Sequence, residues 1–225
     1  LLDWQVTPHR ELIMVENIDA INFTFSITRP GEGKTFICNL PFAGLTWRSS
    51  AVADNGDIYF VIYSIGPPVE NQVWRLSAGS SSPQLLSNLP TANDGALKTW
   101  VFNVGSRRMI FVFDSISNEL WRSLDGGYTF GSWSVGAVVN DMCISGSTIY
   151  VATSTGSNTG FIYVSSDGGN VYSPLPTQQD YYYIISDNNG RLFAATGTNI
   201  WPTSIMLGPF NGLATDHTGR LYVIS

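Results

Sequence analysis

The sequence predicts an all-β protein built from a repeated unit of four short antiparallel strands. Two phrases, a hairpin with a polar turn and a strand with a large aromatic residue, return several times along the 225 residues. No segment carries the sustained apolar period of about 3.6 residues that marks an amphipathic helix. We therefore expect little or no helix. The internal repeats, in turn, determine the architecture.

The first phrase is a β-hairpin, in which a polar turn separates two apolar stretches. It is clearest over residues 51–61, 184–193 and 214–223, and weaker copies cover 100–112 and 142–151. Glycine supplies the turn in each copy, often together with Asp or Asn, and these residues tolerate the positive φ angles of tight hairpins.

The second phrase follows the hairpin and is typical of a third strand. It places an aromatic residue at the same point each time, namely at Trp74, Trp121, Tyr163 and Trp201. A shared position indicates a shared packing site, so we expect these rings to belong to the core. The two phrases together repeat every 40 to 50 residues or so, roughly the length of a propeller blade.

The repeat therefore predicts a β-propeller of about five to six four-stranded antiparallel blades, formed by residues 1–225 as a single domain. The expected blades are 1–41, 47–90, 98–135, 140–176 and 181–208, with a partial blade at 212–225. The fifth range is short enough to lack its outer strand. Either N-terminal strands complete the final hairpin, or the chain is cut from a larger ring.

Composition excludes several classes of partner. The formal net charge is −6 and only Lys34 and Lys98 are lysines, whereas nucleic-acid binding needs a basic face. No apolar stretch approaches the length of a transmembrane helix, so we expect no membrane insertion. The two cysteines, Cys38 and Cys143, are expected to be buried thiols rather than a bridge. The lack of a signal peptide and initiator Met fits a processed product or an excerpt of a longer protein.

Residues 123–130 (Ser-Leu-Asp-Gly-Gly-Tyr-Thr-Phe) match the pattern Ser-x-Asp-x-Gly-x-Thr-aromatic, and residues 165–172 repeat it with Val171 in place of Thr. Both copies follow the aromatic strand at the same offset. The chain thus resembles the Asp-box, or BNR-repeat, β-propellers, which include sialidases, sortilin-type domains and photosystem assembly factors. In that family the box is a structural turn remote from the active face. The resemblance implies that Asp125 and Asp167 support the scaffold.

The same resemblance makes a sialidase-like glycoside hydrolase an alternative. A sialidase of this family carries an arginine triad, a Tyr–Glu pair, an acid/base Asp and an Arg-Ile-Pro motif near its start. The nearest match here, Thr28-Arg29-Pro30, lacks the middle residue of that motif. The two histidines, His9 and His217, have no Cys, Asp or Glu at metal-ligand spacing. We therefore expect no catalytic residues, no metal and no cofactor.

A ligand is expected on one propeller face, at the loops between second and third strands and at those between blades, because rigid scaffolds carry function on their loops. The polar residues of these loops are the candidate ligand-binding residues: Glu70, Asp94, Asp114, Asn118, Asn158, Asp180 and Tyr181. The alternative for each is an ordinary solvated loop residue. In Tyr181-Tyr182-Tyr183, strand alternation puts the outer two rings on one face, for sugar stacking or for packing between blades.

These observations predict a non-catalytic binding or assembly module that recognises a glycan or a protein through one propeller face. One alternative is a structural component of a larger complex, such as a phage virion tail or a cell-surface assembly, and the sialidase-like hydrolase is the other. The expected location is extracellular, at the cell surface or on a virion surface.

Overall fold

A computed structural model describes residues 3–6, 12–19, 22–28, 34–41, 45–64, 69–91, 95, 97–187, 189–196, 199–201, 205–206, 212–215 and 221–224. These residues form strands, turns and bends but no helix. Among them, accordingly, there is no long apolar helix of the kind that crosses a membrane. The chain divides into two compact units, which are unit 1 (Leu1–Trp133) and unit 2 (Ser134–Ser225).

Unit 1 holds three four-stranded sheets. The first contains β1 (Asp3–Val6), β2 (Leu12–Asp19), β3 (Asn22–Thr28) and β4 (Lys34–Pro41). The second contains β5 (Leu45–Val52), β6 (Ile58–Ser64), β7 (Glu70–Leu76) and β8 (Gln84–Leu89). The third contains β9 (Leu97–Val104), β10 (Arg107–Asp114), β11 (Glu119–Ser123) and β12 (Gly131–Ser134), which ends just beyond the unit boundary.

Unit 2 holds two four-stranded sheets and one two-stranded sheet. The fourth sheet contains β13 (Val138–Ser145), β14 (Thr148–Ser154), β15 (Ile162–Ser165) and β16 (Ser173–Pro174). The fifth contains β17 (Tyr183–Ser186), β18 (Leu192–Ala195), β19 (Asn199–Trp201) and β20 (Ile205–Met206). The last contains β21 (Gly212–Thr215) and β22 (Leu221–Ile224).

Every four-stranded sheet is a meander, in which each strand pairs antiparallel with its neighbour in sequence. The prediction of repeated four-stranded antiparallel sheets is therefore confirmed. The fifth sheet does have an outer strand, β20, although it is only two residues long. The single domain and its blade boundaries, the number of blades and the closure of a ring stay predictions.

The repeated hairpin phrase forms a hairpin in every copy. The residue pairs nearest the turns are Val52 with Ile58, Val104 with Arg107, Ser145 with Thr148, Ser186 with Leu192 and Thr215 with Leu221. The turn residues were sufficient to predict these hairpins, because a hairpin joins strands that are adjacent in sequence.

The described core of unit 1 lies between the second and third sheets. It includes Val61, Val73, Leu89, Ile110, Val112 and Trp121. Trp121 is buried, as its repeated position predicts, and Phe130 at the end of the first Asp-box packs against the same cluster. Trp74 is half-buried and stacks on Phe60, with 6.5 Å between the ring centroids.

An ion pair also joins the second and third sheets. The Arg108 guanidinium donates to Asp57 Oδ2 at 2.7 Å and to the Tyr59 hydroxyl at 2.9 Å. Asp57 Oδ1 accepts the amide of Ala78 at 2.9 Å. Burial alone would raise the pKa of Asp57, but these hydrogen bonds and the neighbouring guanidinium lower it. Asp57 is therefore a buried carboxylate with a dedicated cationic partner.

The described core of unit 2 lies between the fourth and fifth sheets. It includes Cys143, Ala152, Ile162, Tyr181, Ile184 and Ala194. Cys143 is a buried free thiol, as the sequence predicts, and burial raises the pKa of that thiol. The side chain of Cys38 lies outside the described residues.

Within each unit, the first strands of successive sheets run beside one another and are linked by polar side chains. In unit 1, the hydroxyls of Ser49 on β5 and Thr99 on β9 are 2.5 Å apart. In unit 2, Asp141 Oδ2 on β13 accepts the amide of Ile184 on β17 at 3.0 Å. Both links follow a β-bulge in the first strand, at Arg48 in β5 and at Asn140 in β13.

Candidate functional site

The meander topology sorts the loops of each unit between two ends. The loop between second and third strands lies at the same end as the connection to the next sheet, here called the connector end. The hairpins between first and second strands and the Asp-box turns lie at the opposite hairpin end. The seven predicted site residues belong to loops or strand termini of the connector end, and Asp94 lies outside the described residues.

Asp114, the last residue of β10, is fully buried, with 0% of its surface exposed. Its Oδ1 accepts the amide of Ile116 at 2.9 Å, and its Oδ2 accepts the Thr91 hydroxyl at 2.8 Å. The carboxylate thus holds the β10–β11 loop and ties it to the connection that precedes β9. Asp114 therefore stabilises this loop as a buried hydrogen-bond acceptor and is not a solvated loop residue.

Asp180 has the same role in unit 2, although it comes from the connection between β16 and β17. It is 3% exposed, and it accepts the amides of Thr155 at 2.8 Å, Asn158 at 3.1 Å and Gly160 at 3.0 Å. Burial would raise the pKa of Asp180, but these backbone hydrogen bonds lower it. The ionised carboxylate therefore fixes the loop between β14 and β15, whose residues 155–159 are all exposed.

The three tyrosines of the run differ in exposure. Tyr181 is 1% exposed, its ring belongs to the core of unit 2, and burial raises the pKa of its hydroxyl. Its ring consequently presents no surface to a sugar in this conformation. Tyr182, which is not among the predicted site residues, is the exposed ring of the run. The regular strand β17 begins at Tyr183, and the amide of Tyr182 already donates to the Ala195 carbonyl of β18 at 2.8 Å.

The two asparagines are explained by backbone conformation. Asn118 has φ 54° and Asn158 has φ 57°, and they are the non-glycine residues with positive φ in the described chain. Asn tolerates the left-handed region better than most residues, because its short polar side chain can hydrogen-bond locally. Both therefore shape the loops on which they lie, and a ligand contact by either stays a prediction.

Glu70 begins β7 and is half-buried. Its Oε1 accepts the Gln72 side-chain amide at 2.9 Å, and its Oε2 accepts the Asn88 side-chain amide at 2.7 Å. The two amides orient the carboxylate without neutralising its charge. Val69, the residue before it, is an exposed apolar side chain at the same end.

The first Asp-box closes the β11–β12 turn at the hairpin end. Asp125 Oδ1 accepts the amides of Tyr128 and Thr129, both at 3.0 Å, and its Oδ2 accepts the Thr129 hydroxyl at 2.7 Å. The Ser123 hydroxyl donates to Asp125 and accepts the amide of Gly127, which has φ 104°. The polar side-chain atoms of Ser123, Asp125 and Thr129 are all bonded within the turn, as the resemblance implies for a scaffold element.

We expect Asp125→Ala to lower the free energy of unfolding by about 1–2 kcal/mol, through loss of the turn hydrogen bonds, and to leave ligand affinity unchanged. Burial would raise the pKa of Asp125, but the Thr129, Ser123 and Tyr128 hydrogen bonds lower it to about 2. The carboxylate therefore stabilises the fold fully above about pH 4, and this contribution is lost as the pH falls toward 2.

Urea denaturation of wild type and variant between pH 2 and 7, an interval spanning roughly the ordinary and lowered pKa values, measures this window. Because the carboxylate is exposed, the pH-dependent part should be only about 1 kcal/mol. A difference that stays constant down to the lowest pH would contradict the assignment.

The second Asp-box lacks one of these hydrogen bonds. Asp167 accepts the amides of Asn170 and Val171 at 2.9 and 3.1 Å, but Val171 has no hydroxyl for the other carboxylate oxygen. We expect Val171→Thr to raise the Tm by about 1–3 °C, because the new hydroxyl can bond as that of Thr129 does while the valine is 64% exposed and buries little apolar surface. The control is Val138→Thr, also at an exposed valine, which should leave the Tm unchanged. Equal shifts in both variants would refute the explanation.

Five of the described carboxylates have the electrostatics of hydrogen-bonded anions. The pKa is lowered at each of Asp57, Asp125, Asp167, Asp180 and Asp187. A general acid of a glycosidase needs the opposite shift, a raised pKa. Within the described part of the chain, no three His, Cys, Asp or Glu side chains are grouped as a metal site. Arg29 lies outside the described residues.

Successive four-stranded meanders are the blades of a β-propeller, and comparison with solved structures supports this class. A periplasmic gluconolactonase from Pseudomonas aeruginosa is similar at a TM-score of 0.60 and 13% identity, over 98% of this chain and 77% of that one. Prolyl oligopeptidase B from Galerina marginata is similar at a TM-score of 0.65 and 9% identity, over 99% of this chain and 37% of that one. A protein of unknown function from Bacteroides caccae is similar at a TM-score of 0.54 and 9% identity, over 85% of this chain and 70% of that one.

The chain thus has a β-propeller fold, and the predicted fold class is confirmed. At these identities the likeness shows the fold alone, and the chain spans little more than a third of the oligopeptidase. No protein-family model and no curated protein matches the sequence. Membership of the Asp-box family therefore stays a prediction.

Proposed function

We propose that this propeller is a non-catalytic binding module that recognises a glycan or protein partner through the loops of its connector end. The proposal rests on one repeated observation. In unit 1 the buried Asp114 holds the loop between second and third strands, and in unit 2 the buried Asp180 does the same. Loops ordered in advance lose little conformational entropy on binding, which favours recognition.

The surface that these carboxylates support has the composition of a recognition surface. In unit 2 it consists of Thr155, Gly156, Ser157, Asn158 and Thr159, which carry hydroxyls and an amide but no charge. In unit 1 it carries apolar side chains on the loops around β7 and β11. Small polar residues adapt their hydrogen bonds to a partner, and apolar residues supply contact area.

The environments of the two loop aspartates favour binding over catalysis. Asp114 accepts the Ile116 amide and the Thr91 hydroxyl, Asp180 accepts three loop amides, and the pKa of Asp180 is lowered rather than raised. A sialidase-like hydrolase is the competing proposal. The propellers similar to this chain include proteins named as enzymes.

The experiment presents the labelled protein to a glycan array and to a phage-displayed library of random peptides, and assays turnover of a fluorogenic sialoside. Ser157→Arg, at the connector end of unit 2, and Ile116→Arg, at that of unit 1, each place a bulky charge on one candidate loop. Ser166→Arg, an exposed serine at the hairpin end of unit 2, is the control.

At least one connector-end variant should weaken binding about tenfold or more, with the control unchanged and no turnover of sialoside. Sialoside turnover that depends on this chain would replace the proposal with the hydrolase. Binding lost only in Ser166→Arg would move the recognition surface to the hairpin end. A role in a larger assembly, and an extracellular, cell-surface or virion location, stay predictions.

A further inference from the structure

Two exposed aliphatic side chains stand at the connector end of unit 1. Ile116, in the β10–β11 loop, is 59% exposed, and Val69, just before β7, is 42% exposed. Single exposed aliphatic residues are common on protein surfaces. These two differ because they lie on neighbouring loops of one propeller face and because the loop of Ile116 is held rigidly.

The position of Ile116 is fixed from two directions. Its amide donates to the buried Asp114 at 2.9 Å, and its side chain lies against Gly95 of the connection between the second and third sheets. A Cβ atom at Gly95 would come within 2.7 Å of Ile116 Cγ1, so the Ile116 side chain packs closely over this glycine. An ordered aliphatic side chain loses little entropy when a partner covers it.

A chain of hydrogen bonds ties the two aliphatic loops together. The Asn71 side-chain amide donates to the Thr91 carbonyl at 3.2 Å, and the Thr91 hydroxyl donates to Asp114 at 2.8 Å. Asn71 lies two residues after Val69, and Asp114 holds Ile116. Val69 and Ile116 are therefore presented by one connected framework.

Charge is added by Glu70, which follows Val69. Two side-chain amides orient its carboxylate, and each oxygen keeps acceptor capacity for a further donor. Among the described residues Glu70 has no cationic partner, and the chain as a whole carries a net charge of −6. A partner complementary to this end of unit 1 would bring a basic side chain beside an apolar one.

We propose that the connector end of unit 1 binds a polypeptide that presents apolar and basic side chains, with Ile116 and Val69 as the apolar contacts and Glu70 as the anionic one. This inference rests on the proposed function, and it names the class of partner. A glycan fits these three residues poorly, because an aliphatic pair offers a sugar neither hydrogen bonds nor an aromatic face.

The test uses the full chain and peptides selected on it from a phage-displayed random library, then synthesised. The selected peptides should be rich in apolar residues and in Lys or Arg. Ile116→Ser should weaken their binding about tenfold, as expected when an aliphatic side chain that the peptide would bury is removed. Glu70→Gln should weaken peptide binding about threefold at low salt and remove most of the salt dependence of the affinity.

Tyr128→Ser is the matched control, because Tyr128 is an exposed ring at the hairpin end of the same unit. It should leave the affinity unchanged, and thermal melts should show that all three variants fold. Peptides that bind Ile116→Ser as tightly as wild type, but lose binding in Ser157→Arg, would overturn this inference while the proposed function stands. Binding of glycans without any peptide would do the same. Absence of both kinds of ligand would defeat the proposed function itself.

Discussion

Replacing Gly160 with alanine is expected to destabilise the protein by about 3 kcal/mol or more, one of the largest effects of a single methyl group in unit 2. A Cβ atom at this position would come within 2.3 Å of the Thr153 carbonyl oxygen and within 2.9 Å of Asp180 Oδ1. The carbonyl belongs to the backbone of β14 and cannot rotate away. The loop would have to move and break the hydrogen bond between Gly160 and Asp180.

Gly156→Ala is the control for this experiment, since both glycines lie in the same loop. Gly156 has φ 76° and nothing within 4 Å of the added methyl group, so alanine there should destabilise by only about 1 kcal/mol, through backbone strain. Urea denaturation of both variants measures the difference. If the two substitutions prove equally mild, Asp180 does not hold the loop as described. Binding that requires residues 155–159 should also fall in Gly160→Ala.

Arg108→Met is expected to lower the free energy of unfolding by about 2–3 kcal/mol, because it leaves the buried Asp57 without its cation. Methionine keeps most of the side-chain volume, so packing changes little. The loss also includes the hydrogen bond to Tyr59 across the second and third sheets.

The stability difference between wild type and Arg108→Met should change with pH in a defined direction. The folded state lowers the pKa of Asp57, so its ionised form stabilises the fold above an ordinary carboxyl pKa of about 4, and the contribution fades as the pH falls below that value. Wild type and Arg108→Met should consequently converge in acid. The comparison variant is Arg191→Met: Asp187 is also buried, but it keeps the backbone amides of Asn189 and Arg191, so the loss of stability there should be smaller. A gap that widens in acid would show that the ion pair is not the cause.

The fold could be predicted because its determinants are local. Each hairpin joins sequence neighbours through turn residues such as Asn55 and Gly56, and each sheet is a meander of consecutive strands. The Asp-box hydrogen bonds likewise connect residues within a single turn, from Ser123 to Thr129. The hairpin turns and the Asp-box each depend on residues close together in sequence, so they could be recognised without any tertiary information.

The loop residues could be placed at one end but not assigned a role. Asp180 looks like a solvated acid in a polar stretch, and its burial depends on amides that precede it by 20 to 25 residues. Tyr181 looks like part of a strand, yet its amide bonds to the Thr153 carbonyl of β14 before β17 begins. Ile116 was overlooked because polarity guided the selection, while its exposure follows from the tight loop around Asp114. Long-range contacts therefore decide the roles of Asp180 and Tyr181.

The β-bulges at Arg48 and Asn140 show how repeated blades can differ in their side-chain contacts. A bulged residue has no cross-strand partner, because the ladder closes on either side of it. Its side chain can therefore change without altering the register of the sheet. The two bulges already carry unlike chemistries: Arg48 lies over the ring of Tyr63 at 4.6 Å, and Asn140 donates to the Tyr181 carbonyl at 2.8 Å in the direction of the next sheet. Such positions let the repeated blades make different contacts while the register of the shared backbone is kept.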